Sequence, residues 1–435
     1  MSPAFEKMLN RELLKKQSVS LETVAEVLAR VVAAAPEPVP RVDIADGTML
    51  IGAHKLPHGS VSRASTVLID MKLLQQENAV AERPGRPIVP LRLSQEWALA
   101  GVQVTHADDR TATAVGMLLS LDGTPAGEKV TEPVRWPFNE AALLDAITRV
   151  TEQLMGKTTS TLLGLGVGVG GRLFSSLTES RNLGLLRDAL TQRLGMPAIV
   201  ESSVDAQAVR EVWRRDPASK RPRFPKPHFA MVGLYHDWVS SALVINRKVY
   251  RGDHGLAAGI GHLTVDYGPQ DVTSRSQPDR PGFYDMCSCG RGYGHLEALA
   301  TPARIAGQTG LPFEQAARAP YDQRSPLTAA FATAGEALGR GISTMLDIAN
   351  PGQLLLLLPE SLARPVEGTA AVAYKRALLT AVRRYSYFTA ADDDDPLHPP
   401  TLIIDDIAAD EADADAAQAA AVCVLDHFIA YARGE

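Results

Sequence analysis

The sequence predicts an α/β protein of two or three units with a small, mainly helical unit at its N-terminus, and three observations predict it. From Trp97 onward short apolar segments alternate with helical stretches. Before that point two segments carry helical rather than strand periodicity. At 435 residues, 45% of them hydrophobic, the chain exceeds what one core usually serves and has ample material to bury.

Segment 20–35 is a helix that Ser20 can cap, with Val24, Val27, Leu28, Val31 and Val32 at helical spacing and Pro36 as its stop. From Ser60 the periodicity returns with Val61, Ala64, Val67, Leu68, Met71 and Leu74 on one face, and Asn78 stands near its end as a residue able to close it. Then Arg83-Pro84-Gly85-Arg86-Pro87 reads as a turn with arginines at its tip, and Ile88 to Leu93 as a short strand. This succession predicts a winged helix-turn-helix over residues 1–95. In such a unit the second helix enters the major groove of duplex DNA, so Ser62, Arg63, Ser65, Thr66 and Lys72 are the expected contacts there. Arg83 and Arg86 are expected to reach phosphates or the minor groove. The bland alternative is a set of solvated surface charges. The stretch between Asp46 and Ser60 is longer than a usual helix-turn-helix connection and leaves the first helices loosely placed.

Net charge gives mild support. The chain carries −6 in all, yet residues 1–93 hold 12 Lys/Arg against 10 Asp/Glu, a local +2. Met1-Ser2-Pro3 does not open a signal peptide, and the longest aliphatic run, Leu354 to Leu358, cannot span a bilayer. With only three cysteines and no disulfide framework, a reducing, cytoplasmic setting is expected.

Strands are expected at Gly101–Val104, Ala114–Leu121, Thr161–Val169, Ala198–Val200, Phe229–Leu234 and Ser241–Ile245, and Leu121-Asp122-Gly123 is a hairpin turn. Segment 214–227, rich in Arg, Lys and Pro, reads as an exposed loop. Residues 392–415 hold ten Asp/Glu around the strand candidate Leu402-Ile403-Ile404 and read as a solvated face or loop. No internal repeat of fixed period is found.

The most specific chemistry lies around Cys287-Ser288-Cys289-Gly290, with Gly294-His295-Leu296-Glu297 after it and Gly261-His262 before it. Two thiolates and two imidazoles make a tetrahedral set suited to zinc. Four protein ligands, His262, Cys287, Cys289 and His295, close the site and make it structural. Otherwise the cysteines are simply free and buried. Cys423, in an alanine-rich helical stretch, is core packing.

Taken together, Gly164 to Gly171, Gly195-Met196-Pro197 leading to Val200-Glu201, Val249-Tyr250-Arg251-Gly252, Gly255 to His262 and the Cys-x-Cys-Gly block resemble the ROK family of repressors and sugar kinases, in its regulator branch. Asn350-Pro351 before Leu354–Leu358 fits the same pattern. The resemblance implies a two-lobed, actin-like ATPase fold, with lobes at 96–225 and 226–411 and a C-terminal helix at about 412–435 packing on the first. It also implies zinc held by the Gly-His histidine and three cysteines, the third replaced here by His295. A homodimer or homotetramer on an operator is implied as well.

The resemblance breaks at the kinase machinery. The family's catalytic aspartate position holds Ser203 within Val200-Glu201-Ser202-Ser203, and serine is no general base at neutral pH without one of its own. The first phosphate loop reads Gln103-Val104-Thr105-His106-Ala107 and the second Asp237 to Ala242, both without the glycines that admit phosphates. Leu358-Pro359 replaces the adenosine-contacting glycines. No ATP cofactor and no phosphoryl transfer are therefore expected. The family's sugar ligands fall on Ser202, Ser203, Gly259, His262 and Glu297, so a pocket for a sugar-like effector would use Glu201, Ser202, Ser203, His262 and Glu297. Two other readings stand beside this one: a DNA-binding and oligomerisation protein with no ligand, and a sugar kinase with unusual loops.

Overall fold

A computed structural model describes residues 5–6, 11–47, 54–78, 88–106, 111–135, 139–170, 173, 182–216, 222–253, 255–265, 287, 289, 294–387, 401–407 and 412–434. The chain divides into two compact units, one of Met1–Pro225 with Asp413–Glu435 and one of Lys226–Ala412.

The first unit begins with helices α1 (Arg11–Gln17), α2 (Leu21–Ala34), α3 (Arg41–Asp46) and α4 (His58–Asp70), followed by an antiparallel pair, β1 (Leu74–Gln76) with β2 (Leu91–Leu93). The Ser20 hydroxyl caps α2 by accepting the Thr23 N–H at 3.2 Å, and the valines and leucine expected at its buried face are buried. Helix α4 buries Val61, Ala64, Val67 and Leu68. It ends at Asp70, short of the length its periodicity predicts. Lys72 adopts φ 60°, the Leu73 N–H returns to the Leu68 carbonyl at 2.9 Å, and Leu74 is buried in β1 opposite Leu93. Cross-strand pairing thus gives Leu74 the burial that one more helical turn offered. The strand expected from Ile88 begins at Leu91.

Arg30, on α2, has a fully buried side chain. Its Nη1 donates to the carbonyls of Ile44 (2.6 Å) and Ala45 (3.3 Å), its Nη2 to that of His54 (2.6 Å), and its Nε to Glu26 Oε1 (2.9 Å). The other carboxylate oxygen of Glu26 accepts from Arg433 Nη2 at 2.7 Å. Burial pushes the Glu26 carboxyl up, but Arg30 and Arg433 together outweigh it and hold it below its ordinary 4.5.

The rest of the unit is a five-stranded sheet in the order β5-β4-β3-β6-β7. Strands β3 (Trp97–His106), β4 (Ala112–Ser120) and β5 (Val130–Val134) form an antiparallel meander. At the predicted hairpin the Gly123 N–H reaches the Ser120 carbonyl at 3.0 Å, with Gly123 at φ 84°. Helix α5 (Glu140–Met155) leads to β6 (Thr161–Val169), parallel to β3, and α6 (Asn182–Leu194) to β7 (Ala198–Ser202), parallel to β6. Helix α7 (Ser203–Trp213) follows.

Side chains on β6 alternate between two faces. Leu165, Val167 and Val169 pack with Ile147, Val150 and Leu154 of α5 and Leu186 and Leu190 of α6. On the other face lie Gly164, Gly166 and Gly168. A Cβ on Gly166 would stand 1.7 Å from the Ala420 carbonyl oxygen, one on Gly101 of β3 1.9 Å from that of Ala417, and one on Gly164 2.9 Å from the Val424 side chain.

Segment 214–227, expected to be an exposed loop, is anchored where it is described. Arg214 and Arg223 each pair with the buried Glu211 at 3.0 Å, and Phe224 is buried. Opposite charge around one buried carboxylate overrides the solvated reading.

In the second unit, β8 (Phe229–Leu234), β9 (Val239–Ile245) and β10 (Lys248–Val249) form an antiparallel meander. Helix α8 (Pro326–Ala349) leads to β11 (Gln353–Pro359), parallel to β8, and α9 (Ala371–Tyr385) precedes β12 (Thr401–Ile407), parallel to β11. The order β10-β9-β8-β11-β12 repeats that of the first sheet. Phe331, Leu338 and Ile342 of α8 and Tyr374 and Leu378 of α9 join one core with Leu354, Leu356 and Leu358 of β11. The acidic C-terminal segment thus yields a sheet strand at 401–407, while the runs at 388–400 and 408–411 lie outside the described residues. Helix α10 (Ala412–Arg433) closes the chain, and its Ala416, Ala417, Ala420 and Ala421 are buried. Cys423 is buried there too.

Gly166→Ala is expected to lower the free energy of unfolding by about 3 kcal/mol or more in chemical denaturation, because the clash is with backbone that cannot rotate away. Glu26 contributes stability in full above the ordinary carboxylate pKa, and that contribution is lost as pH falls through its lower folded value. Glu26→Gln is therefore expected to flatten the acid limb of the melting temperature against pH.

Candidate metal centre and nucleic-acid interface

Four residues from separate stretches of the second unit converge. Helical 3-10 geometry at Ile260–His262 places His262, and it needs Gly261, since a Cβ there would lie 2.5 Å from the Val239 carbonyl oxygen. The Leu296 N–H donates to the Leu263 carbonyl (2.9 Å) and the Val265 N–H to that of Gly294 (3.0 Å), tying the two histidine segments into a bridge. Leu296 opens a short helix to Ala300 and is fully buried.

Donor atoms of His262, Cys287, Cys289 and His295 all lie within 4.8 Å of one another. Cys287 Sγ is 3.5 Å from His262 Nδ1, and Cys289 Sγ is 3.5 Å from His295 Nδ1. A tetrahedral zinc site with sulfur at about 2.3 Å and nitrogen at about 2.0 Å has donor–donor edges of roughly 3.5 Å, the length of both contacts. Burial, and after it the neighbouring His262, lower the His295 pKa against the opposing pull of Glu297. The neutral ring that results is the form with a lone pair to give. Buried Glu297 stands beside the group, its Oε1 3.9 Å from Cys287 Sγ and its Oε2 accepting the Val239 N–H at 3.4 Å. The four sequence-predicted ligands are brought together.

The residues nominated for an effector pocket are committed within their own units. Glu201 Oε1 meets His427 Nε2 at 2.9 Å, the Ser202 hydroxyl caps α7 by accepting the Asp205 N–H at 3.1 Å, and the Ser203 hydroxyl accepts from Gln103 Nε2 at 2.7 Å. His262 belongs to the His/Cys cluster, with Glu297 beside it. At the first phosphate-loop position β3 runs on to His106, buried Gln103 fills the space beside Gly168, and Thr105 Oγ1 donates to Asp413 at 2.8 Å. At the second, Tyr235 and Trp238 stack with ring centroids 4.9 Å apart. Leu358-Pro359 leads directly into a helix at Glu360–Ala363.

For the nucleic-acid surface, Ser62 and Arg63 are exposed on α4, and Thr66 is half-buried. Ser65 is corrected: it is fully buried, and its hydroxyl donates to the Val61 carbonyl at 2.7 Å. It follows Val61 by one turn and so shares the core face, where no base can reach it. Lys72 lies beyond the helix, with its charge paired to Glu96 at 2.7 Å. Arg83 and Arg86 lie outside the described residues. The helix starts at His58, earlier than its apolar pattern shows, so exposed His58 and Gly59 join its outer face. Pro57 just before it was the available signal.

No family model matches the chain. It is 24% identical over 251 residues to a candidate xylose repressor of Caldicellulosiruptor sp. (strain Rt8B.4), a stretch covering 51% of this chain and 57% of that protein. The chain thus spans little more than half the length of the curated relative it matches. Its fold matches the crystal structure of a ROK family transcriptional regulator, a homologue of the E. coli MLC protein, with a TM-score of 0.65 at 16% identity, over 95% of this chain and 98% of the other. The chain has the ROK fold and resembles the repressor branch of that family. It also matches a ROK hexokinase from Thermus thermophilus, with a TM-score of 0.51 at 20% identity, over 74% of this chain and 98% of the other. The regulator match covers nearly the whole chain, while the hexokinase match leaves about a quarter of it uncovered.

Among the described residues no helix is long and apolar enough to cross a membrane.

Proposed function

We propose that the chain is a repressor-type transcriptional regulator of duplex DNA, built as a winged helix-turn-helix over residues 1–95, a first lobe over 96–225 completed by α10, and a zinc-bearing second lobe over 226–411. The observation that carries this reading is the exposed Ser62–Arg63 face of α4, standing directly ahead of the β1–β2 pair, in a chain similar to xylose repressors. Helix and ribbon in that order are what a winged reader presents to the major groove and the flanking backbone. Pairing two such readers on a palindromic operator makes the working form a homodimer or homotetramer. The setting is cytoplasmic, where Cys287 and Cys289 stay reduced.

His262, Cys287, Cys289 and His295 hold one zinc ion, whose part is to tie their separate chain segments to one another. Sugar phosphorylation is absent from this reading. Gln103 bonded to Ser203 takes the place of a phosphate turn facing a general base, and the Tyr235–Trp238 stack takes that of the second phosphate loop. A carbohydrate-related effector remains part of the proposal. The commitment of Glu201, Ser202 and Ser203 to internal bonds favours the second reading, a DNA-binding and oligomerising protein with no small ligand.

With a DNA fragment selected from the cognate genome, Arg63→Ala is expected to weaken binding about tenfold or more and relax sequence preference, while Arg86→Ala mainly lowers the salt slope. Unchanged affinity in both variants overturns the docking mode. Elemental analysis is expected to give one zinc per chain in the purified protein and a loss of metal and of thermal stability in His295→Ala. Incubation with hexoses and ATP is expected to yield no sugar phosphate.

A further inference from the structure

The connection between α3 and α4 runs from Gly47 to Pro57, far longer than the three or four residues of a usual helix-turn-helix turn. A connection of that length leaves the entry angle of α4 to whatever fastens its two ends. One side chain reaches both. Arg30 Nη1 donates to the carbonyls of Ile44 and Ala45 at the end of α3, and Nη2 donates to that of His54, four residues before α4 begins. The Leu56 N–H adds a second closure to the Ala45 carbonyl at 2.8 Å.

We propose that Arg30 is the positioning residue of the reading surface: its buried guanidinium sets α4 across the enlarged connection and is itself held, through Glu26, by the last turn of the C-terminal helix. A buried charge is tolerable only when fully met, and here three carbonyls and one carboxylate meet it. The planar fork matters, because an ammonium presents no rigid pair of donors to acceptors on opposite sides of a gap. Glu26 bridges Arg30 at 2.9 Å and Arg433 at 2.7 Å, so α10 and the base of α4 are joined through two side chains. Neither Arg30 nor Glu26 lies on the exposed Ser62–Arg63 face. The inference rests on the DNA-reading function proposed above.

The test compares full-length wild type, Arg30→Lys, Glu26→Gln and Arg63→Ala, well below their melting temperatures, by affinity for the selected DNA fragment, its salt slope, and amide exchange. Arg30→Lys is expected to bind about tenfold or more weakly with the salt slope unchanged, since displaced base contacts are lost while phosphate contacts persist. Exchange is expected to quicken over 54–70 and to stay as in wild type over 97–106. Wild-type affinity and exchange in Arg30→Lys overturn the proposal. Should that variant fail to fold, Glu26→Gln decides: severalfold weaker binding with quickened exchange over 54–70 supports it, and wild-type behaviour in both overturns it. The exchange arm uses no DNA. If wild type and Arg63→Ala bind alike, the Ser62–Arg63 face is not the base-reading surface, while exchange still judges whether Arg30 sets α4.

Discussion

An alanine-rich helix lies on a glycine-lined sheet face with no room for one added methyl group, and much of the first unit follows from that contact. Gly101, Gly164 and Gly166 are the places where β3 and β6 present bare backbone: Ala417, Ala420 and Ala421 of α10 meet Gly101 and Gly166, and Val424 of the same helix meets Gly164. So close an approach lets the alanine-rich first half of this 22-residue helix settle directly on the backbone of the sheet. Its polar residues then find partners along the same line: Asp413 with Thr105, Asp415 with Arg210, His427 with Glu201 and Asp426 with Trp213. At its far end Phe428 and Tyr431 pack on Phe5, and Arg433 reaches Glu26. The C-terminus of the chain is in this way part of the support of its N-terminal helices.

The same economy explains what has become of the sites that the fold could otherwise carry. Residues at the ends of β3 and β7, which in an open α/β sheet line a ligand crevice, are here bonded to one another and to α10. Each polar group that packs internally is one fewer to greet a phosphate or a hydroxyl. What the second unit keeps is a closed quartet of soft and borderline donors, which suits a structural ion rather than a reacting one.

Much of this was legible in the sequence. Strand positions from Thr161, Phe229 and Ala198 were set by apolar runs between helical stretches, and the His/Cys quartet by residue type, motif spacing and the family resemblance. The glycine pattern at 164–168 was visible as a motif, though its reason was not, because that reason is a helix some 250 residues later in the chain. The repeated strand order of the two sheets left no periodic trace: the fold recurs in connectivity, while side chains answer to different neighbours. Ser65 was misplaced because a serine inside an apolar stripe looks like a polar exposure until its hydroxyl is seen returning to the helix backbone. Arg30 escaped for the opposite reason. A charged residue on an amphipathic helix reads as surface, and only the folded connection beside it supplies the carbonyls that make burial possible.

The central claim is that this scaffold carries a sequence-specific reader of duplex DNA. Selection of bound fragments from the cognate genome by the full-length protein, followed by sequencing, tests it most directly. The account predicts enrichment of a two-fold symmetric motif whose half-sites lie about one helical turn, or a whole number of turns, apart. Recovery of fragments with no shared motif, bound only through salt-sensitive contacts to the backbone, would contradict it.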